Sequence, residues 1–477
     1  MLQAGCLMLP LGGCLLNGKP PDPALDIPAN YDGAPRNPQA ADAAVPKLDW
    51  WQSFRSGELT VIVEEAQLAN LDIAAAVARI VQADAQARIT GAALLPSIQA
   101  NGQGQRSQSS KTTGLGNGQP FVDNGFKVGN NLTASLSASY EIDFWGKNRA
   151  ALRAAEETAA ASRYDKEVVA LTTVVAAANA YFQVLAAQDR LKVARDNLVS
   201  ANRVLGLIKQ RAAAGTASNL EIAQQESVVG NLQASIPPLE QTLKQNKVAL
   251  AILLARPPEH VRIHGGSLRA IAYPRITPGL PSELLAQRPD IREAEANLAA
   301  ANANVANARA QFLPAITLTG AGGYESAVLK MLLRPESVFF NVAAGVTQPI
   351  FDGGQLLGNL DLRKGQQDEL LQTYRKAVIS AFGDVENALD AVRQTARRER
   401  VLGDVVRASR QAFDISEQRF REGTIDLVTL LQTQQTLYQA EDALAQARLA
   451  HVQAIVSLYQ ALGGGWLPKP VDTADAR

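Results

Sequence analysis

Cysteine and histidine are scarce in this sequence, and their scarcity excludes several classes of protein. Among 477 residues there are two cysteines and three histidines, and both Cys6 and Cys14 lie near the start of the chain. A disulfide framework or a cysteine metal site in the body of the chain is therefore excluded. The HExxH, GxSxG and CxxC motifs and the phosphate-binding Walker loop are absent from the sequence as well. We therefore predict that the protein is not an enzyme and uses no cofactor or metal.

Net charge and long apolar runs are lacking too. Lys and Arg together number 46, as do Asp and Glu, so no basic field is available to attract nucleic acid. No run of about eighteen consecutive apolar residues occurs, which argues against an ordinary transmembrane helix. Hydrophobic residues, largely alanine, make up 47% of the chain although aromatic residues make up only 5%. Such a composition favours long, closely packed helices.

One stretch, Leu132–Phe144, alternates strictly between apolar and polar residues. This pattern is typical of a β-strand with one apolar and one polar face. At about 3.3 Å per residue the strand is about 40 Å long, enough to cross a bilayer when tilted. A soluble β-sandwich is the alternative for any single stretch of this kind, because the signal of a membrane barrel is weak in each strand. The alternation recurs in Ser97–Gln105, Ile316–Thr319 and Val338–Ile350.

The four predicted strands belong to two copies of one repeat. Leu94–Ile98 recurs as Phe312–Ile316 at a shift of 218 residues, and the pair Gly215 and Thr216 recurs 208 residues later. The difference of ten residues (218 − 208) falls between the paired strands of the first copy, where the Gly- and Asn-rich stretch Lys111–Gly125 predicts a longer hairpin loop. Both shifts are even, so equivalent strands are predicted to present their apolar residues on the same face.

Long helices are predicted after each strand pair. Residues 148–214 contain no proline and one glycine, and a continuous helix of that length would extend about 100 Å. Steps of three and four residues define a predicted coiled-coil seam of Val184, Ala187, Leu191, Ala194, Leu198, Ala201, Leu205 and Ile208. In the second copy Leu430, Leu437 and Leu444 keep a seven-residue interval. His451 is next in that series, so we interpret it as a seam or surface residue rather than a metal ligand.

A short turn joins the two long helices of each copy, at the end far from the strands. In both turns a glycine ends one helix, and Ser218 or Asp426 can cap the next. The turn recurs at the same place in both copies, so we interpret it as a distal tip rather than a passive helical hairpin. The residues predicted to contact a partner at this tip are Arg211, Gly215, Thr216, Ser218, Arg419, Arg421, Gly423, Thr424 and Asp426.

The first residues of the chain resemble a bacterial lipoprotein signal. Leu11–Cys14 follows an apolar stretch and places small residues directly before the cysteine. We therefore predict that residues 1–13 are a signal peptide and that Cys14 carries the lipid. This leader has no Lys or Arg, so we expect further residues upstream. Cys6 would leave too short a leader, and an unmodified, buried Cys14 is the remaining alternative.

Several stretches together resemble the TolC-type outer-membrane factors, in the lipoprotein branch that includes OprM. They are Trp50–Phe54, Gly279–Leu298, Ala310–Gly320, Thr347–Gly354 and Ala461–Trp466. The resemblance implies a mixed fold, in which three copies of the chain close a membrane β-barrel of twelve strands and an α-helical coiled-coil tube of twelve helices. Such a trimer would also explain how four strands that cannot close a barrel alone could lie in a membrane.

The resemblance also implies a function. It is that of the outer-membrane channel of a tripartite efflux pump, a passive conduit for drugs and other small molecules from the periplasm to the exterior. The implied partners are a periplasmic adaptor (membrane fusion) protein, an inner-membrane pump of the RND type and outer-membrane lipid. A type I protein secretion channel and a structural coiled-coil tether are the alternatives, and the alternating strands argue against the tether. Relatives often carry an acidic residue near Leu430–Gln434, where this chain has none, so Glu221 and Asp426 are the candidate gate residues.

The predicted organisation begins with a signal peptide at 1–13 and an N-terminal extended or linker segment at 14–70. The first repeat, at 71–255, has strands at about 95–106 and 131–144 and helices at 148–214 and 218–255. After a Pro-rich connector at 256–289, the second repeat, at 290–463, has strands at about 313–324 and 338–351 and helices at 356–422 and 426–462, and a tail follows at 464–477.

Overall fold

The computed structural model of the chain describes residues 21–25, 31, 47–108, 128–274 and 281–466. The predicted signal peptide, Cys14 and the predicted hairpin loop Lys111–Gly125 lie outside these residues. The chain forms two compact units. The first unit consists of the described residues within Met1–Pro23, Ile80–Ala161 and Glu295–Thr373, and the second of those within Ala24–Arg79, Ser162–Ala294 and Tyr374–Arg477.

Four antiparallel strands form one sheet in the first unit, in the order β1-β2-β3-β4. The strands are β1 Ser97–Gln108, β2 Val128–Ile142, β3 Ala315–Ser326 and β4 Val338–Thr347. Strand β4 ends before the predicted limit at 351, because Pro349 has no N–H to donate to a neighbouring strand. Within the described residues, the outer edges of β1 and β4 have no partner strand.

The strand register separates apolar from polar side chains over most of the sheet. Every even-numbered residue pairs with an even-numbered one, as in the row Ala100, Leu136 and Gly322. Apolar side chains of this even face are largely exposed, including Leu136 at 60% and Phe340 at 83%. The odd face carries hydroxyl and amide groups, and the side-chain amide of Asn101 donates to Ser137 Oγ at 3.0 Å. The prediction that equivalent strands share one apolar face is therefore confirmed.

The helices in chain order are α1 Gly57–Ala69, α2 Leu71–Gly91, α3 Lys147–Ala213, α4 Asn219–Leu253, α5 Pro281–Gln287, α6 Pro289–Ala310, α7 Gln355–Arg421 and α8 Leu427–Ala461. The bounds of the four long helices α3, α4, α7 and α8 differ from the predicted bounds by one or two residues at each end. Helix α4 continues through Pro237 and Pro238, whereas α8 contains no proline.

One expectation was wrong: residues 14–70 are not extended throughout, because helix α1 lies within them. The Ser56 side chain accepts a hydrogen bond from the Leu59 N–H at 3.2 Å and caps the helix. The apolar residues Leu59, Ile62, Val63 and Ala66 follow at helical spacing and are buried. The sequence therefore contains an ordinary helix start signal at Ser56 that the prediction of an extended segment overlooked.

An aromatic cluster anchors the start of the second unit. Trp50 stacks on Tyr459 of α8, with ring centroids 4.7 Å apart. Phe54 is fully buried against Phe182 of α3, with centroids 5.2 Å apart. This explains why the stretch Trp50–Phe54 contributes to the family resemblance: its rings fill a core between two long helices rather than a binding site.

Arg288 ties two other stretches of the resemblance together in the same unit. Its guanidinium donates to Asp290 at 2.7 Å, to Asp384 at 3.1 Å and to the carbonyl of Ala461 at 3.2 Å. Burial by itself would lower the pKa of Arg288, but the hydrogen bonds and charges of Asp290 and Asp384 raise it overall. The Arg288 side chain is therefore a charged clamp between the start of α6, α7 and the end of α8.

Gly463 completes this junction because no larger residue fits there. Its φ is +82°, and a Cβ atom at this position would lie 2.2 Å from the carbonyl oxygen of Gln287. A side chain would meet both backbone strain and a direct clash. The glycine run before Trp466 is therefore a close-contact site rather than a simple helix stop.

The coiled-coil seam of α3 departs from the predicted spacing after Ala194. Leu198 and Leu205 are only partly buried, and Asn197 and Val204 are buried instead. At Asn197 the helix packs against α8, where the Tyr438 hydroxyl donates to the Asn197 carbonyl at 3.1 Å. The other six predicted seam residues of α3 are buried, as are Leu430, Leu437, Leu444 and His451 in α8.

His451 has a local structural partner. Its Nδ1 lies 2.7 Å from Glu399 Oε2, and its ring packs on Tyr273 with centroids 4.4 Å apart. The interpretation of His451 as a seam residue is consistent with this burial and pairing.

Among the described residues, helix α3 contains one apolar window that could cross a membrane by length and composition. Of that window, 56% is buried within the protein. The apolar residues Val174, Phe182 and Val184 lie in the core of the second unit. A core helix satisfies the same criterion, so this window is accounted for by packing.

We predict opposite tolerance of a charge on the two faces of β2. Leu136→Arg places a charge on the even face, at a cost of about 2 to 4 kcal/mol if that face meets lipid near the bilayer centre. Ser137→Arg places the same charge on the polar odd face. We expect little assembled oligomer in outer-membrane fractions for Leu136→Arg and a near-normal amount for Ser137→Arg, measured by unheated gel electrophoresis and immunoblotting. The reverse ranking would show that the faces are assigned backwards.

Candidate functional site

The predicted tip residues lie in two turns of the second unit, 211–218 between α3 and α4 and 419–426 between α7 and α8, which we call the distal turns. Their backbone hydrogen bonds match. Thr216 N–H donates to the Arg211 carbonyl at 2.9 Å, and Thr424 N–H donates to the Arg419 carbonyl at 3.0 Å. Each threonine hydroxyl donates to the same carbonyl, at 3.0 and 3.1 Å. The carbonyls of Arg211 and Arg419, in the last turns of α3 and α7, therefore have hydrogen-bond partners within the turn.

Gly215 and Gly423 give both distal turns their left-handed backbone. Their φ values are +76° and +75°. A Cβ atom at either position would meet nothing within 4 Å. A side chain there is disfavoured by backbone conformation alone, and most strongly if it is β-branched. The two glycines therefore fix the chain reversal without packing against anything.

Different residues cap the helices that leave the distal turns. Ser218 and Glu221 form a capping box: Ser218 Oγ accepts from Glu221 N–H at 3.3 Å, and Glu221 Oε2 accepts from Ser218 N–H at 2.6 Å. Asp426 Oδ1 accepts from Thr429 N–H at 2.9 Å. Both candidate gate carboxylates therefore act as helix caps in this conformation.

The cap on α8 depends on the charge of Asp426. Hydrogen bonds from the side chain and the backbone of Thr429 hold the pKa of Asp426 below its ordinary value of 3.8. A carboxylate whose pKa is lowered by folding stabilises the folded state above its unfolded pKa, and this contribution is lost as the pH falls through the folded pKa. The α8 cap is therefore retained at neutral and mildly acidic pH.

Arg211 joins the two distal turns. Its Nη1 donates to the Phe420 carbonyl at 3.0 Å, and its guanidinium carbon lies 4.6 Å from the centroid of the Phe420 ring. Phe420 is 1% exposed and belongs to a cluster shared by α3, α7 and α8. The cluster consists of Val204, Ile208, Phe413, Phe420, Leu427, Leu430 and Leu437. The structure thus brings both predicted turns into one packed site.

A buried carboxylate beside this cluster was missed by sequence reasoning. The Glu417 side chain, 9% exposed, accepts hydrogen bonds from Arg203 at 2.7 Å and from Arg421 at 2.6 Å. The spacing of four residues between Glu417 and Arg421 is a local signal that could have indicated this pair. The Arg203 pair joins residues 214 positions apart, so no local pattern could reveal it.

The surface of the distal turns combines exposed charge with exposed apolar side chains. Arg419 is exposed, whereas Arg211 and Arg421 are committed to Phe420 and Glu417. Leu220 is 67% exposed and Val428 is 60% exposed. They occupy equivalent positions of the two copies, since 428 − 220 equals the repeat shift of 208. The helix that follows each turn therefore presents, at its second residue, an apolar side chain that the chain itself leaves uncovered.

Comparison with known proteins links this architecture to a family. The sequence model of the family described as "Outer membrane efflux protein" matches residues 62–256 and 280–464, which include both predicted repeats. A pyoverdine export outer membrane protein, OpmQ of Pseudomonas putida, is 40% identical over 463 residues, covering 96% of this chain and 97% of that protein. The outer membrane protein OprJ of Pseudomonas aeruginosa is 31% identical over 476 residues, covering 98% and 96% of the two chains.

Solved structures show the same fold. The outer-membrane channel OprN superposes with a TM-score of 0.87 at 27% identity, covering 95% of this chain and all of that chain. The open state of the Neisseria gonorrhoeae MtrE outer membrane channel superposes with a TM-score of 0.81 at 28% identity, covering 94% and 97% of the two chains. The mixed fold, with tandem repeats of strands and long helices, is therefore confirmed.

We predict that the Ser218 cap controls local opening of the first distal turn. Ser218→Ala removes the acceptor for the Glu221 N–H, and loss of such a cap costs about 1 kcal/mol, or about a fivefold increase in local opening. Hydrogen exchange of peptides that cover the start of α4 should accelerate to this extent. Ser218→Thr keeps a capping hydroxyl and should exchange like the unsubstituted protein. Equal exchange in the alanine and threonine variants would show that the capping box does not stabilise the turn.

Proposed function

The chain belongs to the outer membrane efflux protein family, and from this membership we propose that it is the outer-membrane channel of a tripartite pump that exports small molecules. The observation that carries this proposal is the match of family and relatives over both repeats. The family and the relatives are outer-membrane channels rather than enzymes. The protein therefore acts as a conduit, and the energy for transport comes from a partner.

We propose that the conduit is a homotrimer. The sheet of one chain has two unpaired edges among the described residues. In hydrocarbon each unpaired backbone group costs several kcal/mol, so the edges must pair with another sheet. Three copies would supply twelve strands, enough for a barrel with an open interior. The even face would then meet lipid, and the odd face of hydroxyl and amide groups would line the interior.

The distal turns are the proposed docking site for a periplasmic adaptor protein, which would connect the channel to an inner-membrane pump of the RND type. Leu220, Val428 and Arg419 supply an exposed apolar and basic surface at equivalent places of the repeat. An adaptor that binds the open arrangement of the turns better than the closed one would shift the channel toward opening. Glu221 and Asp426 remain the proposed gate residues. Their hydrogen bonds as helix caps would stabilise one of the two arrangements, open or closed, over the other.

The proposed cargo is a small molecule of the pyoverdine type. Two relatives, from Pseudomonas putida and Pseudomonas aeruginosa, share 40% and 39% identity with this chain and are named for pyoverdine export. Relatives named for toluene or antibiotic efflux share 30% identity. Drug efflux is the second candidate function, because those relatives also match over 96% of this chain.

A complementation experiment tests the proposed function. A Pseudomonas host that lacks its own OpmQ is supplied with this chain, and pyoverdine in the culture medium and antibiotic resistance are both measured. We expect the unsubstituted chain to restore pyoverdine export. Gly423→Val should abolish it while trimers remain in the outer membrane, because a β-branched residue strains the left-handed turn. Gly423→Asn is the matched control and should retain export, because asparagine tolerates this conformation.

Each contrary outcome has a definite meaning. Full export by Gly423→Val at normal expression would show that the distal turn is not the docking site. Restored resistance without pyoverdine export would favour the second candidate function. Failure of both activities, together with restored secretion of a protein substrate, would favour a type I secretion channel.

We propose that Cys14 carries the lipid anchor. It combines a leucine three positions earlier with small residues at the two positions between, whereas Cys6 has too short a leader. Acyl chains, with palmitate as an amide-linked chain, would add to the anchoring by the barrel. Mass spectrometry of the N-terminal peptide from membrane-extracted protein should show a diacylglyceryl group on Cys14. Cys14→Ser should lack that mass, and an unmodified Cys14 in the unsubstituted protein would contradict the proposal.

A further inference from the structure

The loop at residues 327–337 connects β3 to β4, and we call it the rim loop. It has a defined structure. Two short 3-10 turns, Leu329–Met331 and Pro335–Ser337, form most of it. The Ser337 hydroxyl donates to the Met331 carbonyl at 2.8 Å, and the Val328 N–H donates to Ser326 Oγ at 3.2 Å. These hydrogen bonds within the chain therefore give the rim loop a defined backbone.

Large apolar side chains of the rim loop point away from the protein. Leu329 is 72% exposed and Leu333 is 77% exposed, with Val328 at 45% and Met331 at 38%. Four such residues within six positions form an apolar patch, which is uncommon on a surface that faces water only. Surface loops that contact water alone are usually polar. The composition of the rim loop therefore indicates an apolar neighbour.

Basic residues are interleaved with this apolar patch. Lys330 and Arg334 are both exposed. Among the described residues, the structure records no ion pair for either side chain. The single acidic residue of the loop, Glu336, leaves the loop with a net charge of +1. Apolar side chains interleaved with free cations are typical of a segment that lies at the interface of an anionic lipid layer.

The rim loop continues the apolar face of the sheet. Val338 and Phe340, the first even-numbered residues of β4, are 56% and 83% exposed. Tyr324 pairs with Val338 at this end of the sheet, where an aromatic residue is typical of a membrane interface. Strand β3 begins after α6 and β4 ends before α7, so the rim loop lies at the strand ends opposite these helices. In the proposed channel, that end faces the exterior.

We propose that the rim loop rests on the outer leaflet of the outer membrane, with its leucines among the acyl chains and Lys330 and Arg334 on the phosphate groups of lipopolysaccharide. This inference rests on the proposed function as a membrane-spanning channel. Charge complementarity and continuity with the even face select lipid as the occupant. A loop folded over the channel mouth and a loop packed on a second copy are the alternative arrangements, and the experiment below distinguishes both from contact with lipid.

Spin labelling tests the position of the loop in the full-length protein. A nitroxide is attached to Leu329→Cys or Leu333→Cys, and the protein is reconstituted in vesicles of phospholipid and lipopolysaccharide. Collisions with O2, which concentrates in lipid, are compared with collisions with a water-soluble nickel chelate. Phe340→Cys on the even face and Asn341→Cys on the odd face are the matched controls, and the unsubstituted protein serves as the labelling blank. We expect both loop positions to favour O2, as Phe340→Cys does, and Asn341→Cys to favour the chelate.

A second measurement tests the cations. Titration of lipopolysaccharide into the detergent-solubilised trimer, followed by native mass spectrometry, gives its affinity. A basic residue near an anionic lipid surface contributes about 1 kcal/mol, so Lys330→Gln and Arg334→Gln should each weaken binding about fivefold. Arg153→Gln, an exposed cation on α3, should leave the affinity unchanged. Equal affinity in all variants would overturn the assignment of the cations.

The remaining outcomes are also decisive. Loop labels that meet the chelate as freely as Asn341→Cys would place the loop in water and overturn the proposal. Labels shielded from both agents would place it against protein, over the channel mouth or on a second copy, and would overturn it as well. Insertion of a trimer in the same vesicles is tested by cross-linking and protease protection. If the unsubstituted protein forms no inserted trimer, the proposed function fails, whereas an inserted trimer with a water-exposed loop contradicts this inference alone.

Discussion

Hydrogen bonding of the strand backbone is the constraint on which the rest of this structure depends. The four strands pair β1 to β2 to β3 to β4, and the outer edges of β1 and β4 are left open within the described residues. Water could satisfy those edges, but hydrocarbon cannot. A chain of this design can enter a bilayer only with other copies. The exposed apolar even face is consistent with that requirement, because Phe340 and Val342 would be poorly placed on a sheet that remained in water.

The two copies of the repeat keep the same backbone at the distal turns while their side chains differ. Gly215 and Gly423 have nearly equal φ values, and the threonine hydrogen bonds match within 0.1 Å. Yet the helix after the first turn begins with a serine capping box, and the helix after the second turn is capped by an aspartate. Arg211 of the first turn contacts Phe420 of the second, and among the described residues no equivalent contact from Arg419 to the first turn is recorded. Backbone geometry thus defines the turn, whereas the side chains make the two halves unequal.

Local signals account for the parts of the fold that could be predicted. Alternation over Leu132–Phe144 indicated a strand with two different faces, and the glycine and cap residues located both turns. The helix at Gly57–Ala69 was missed although Ser56 and the apolar spacing after it were present in the sequence. Glu417 is a different case. Its partner Arg203 comes from another helix, and only the folded chain brings the two together. Residues from distant segments carry the interior of the site, so sequence patterns could locate its turns but not its charge pairs.

The pairing of even with even residues also restricts how such a chain can change over evolutionary time. Deleting one residue within β2 would exchange the faces of every side chain beyond the deletion, and the leucines of the even face would move to the polar odd face. An insertion or deletion within a strand therefore keeps the two faces only when it changes the strand by an even number of residues. The hairpins between strands are not restricted in this way. The ten extra residues of the first copy fall between β1 and β2 in the sequence. For protein engineering, epitope tags and reporter peptides belong in those hairpins, and alignments of homologues that place a single-residue gap inside a strand should be rejected.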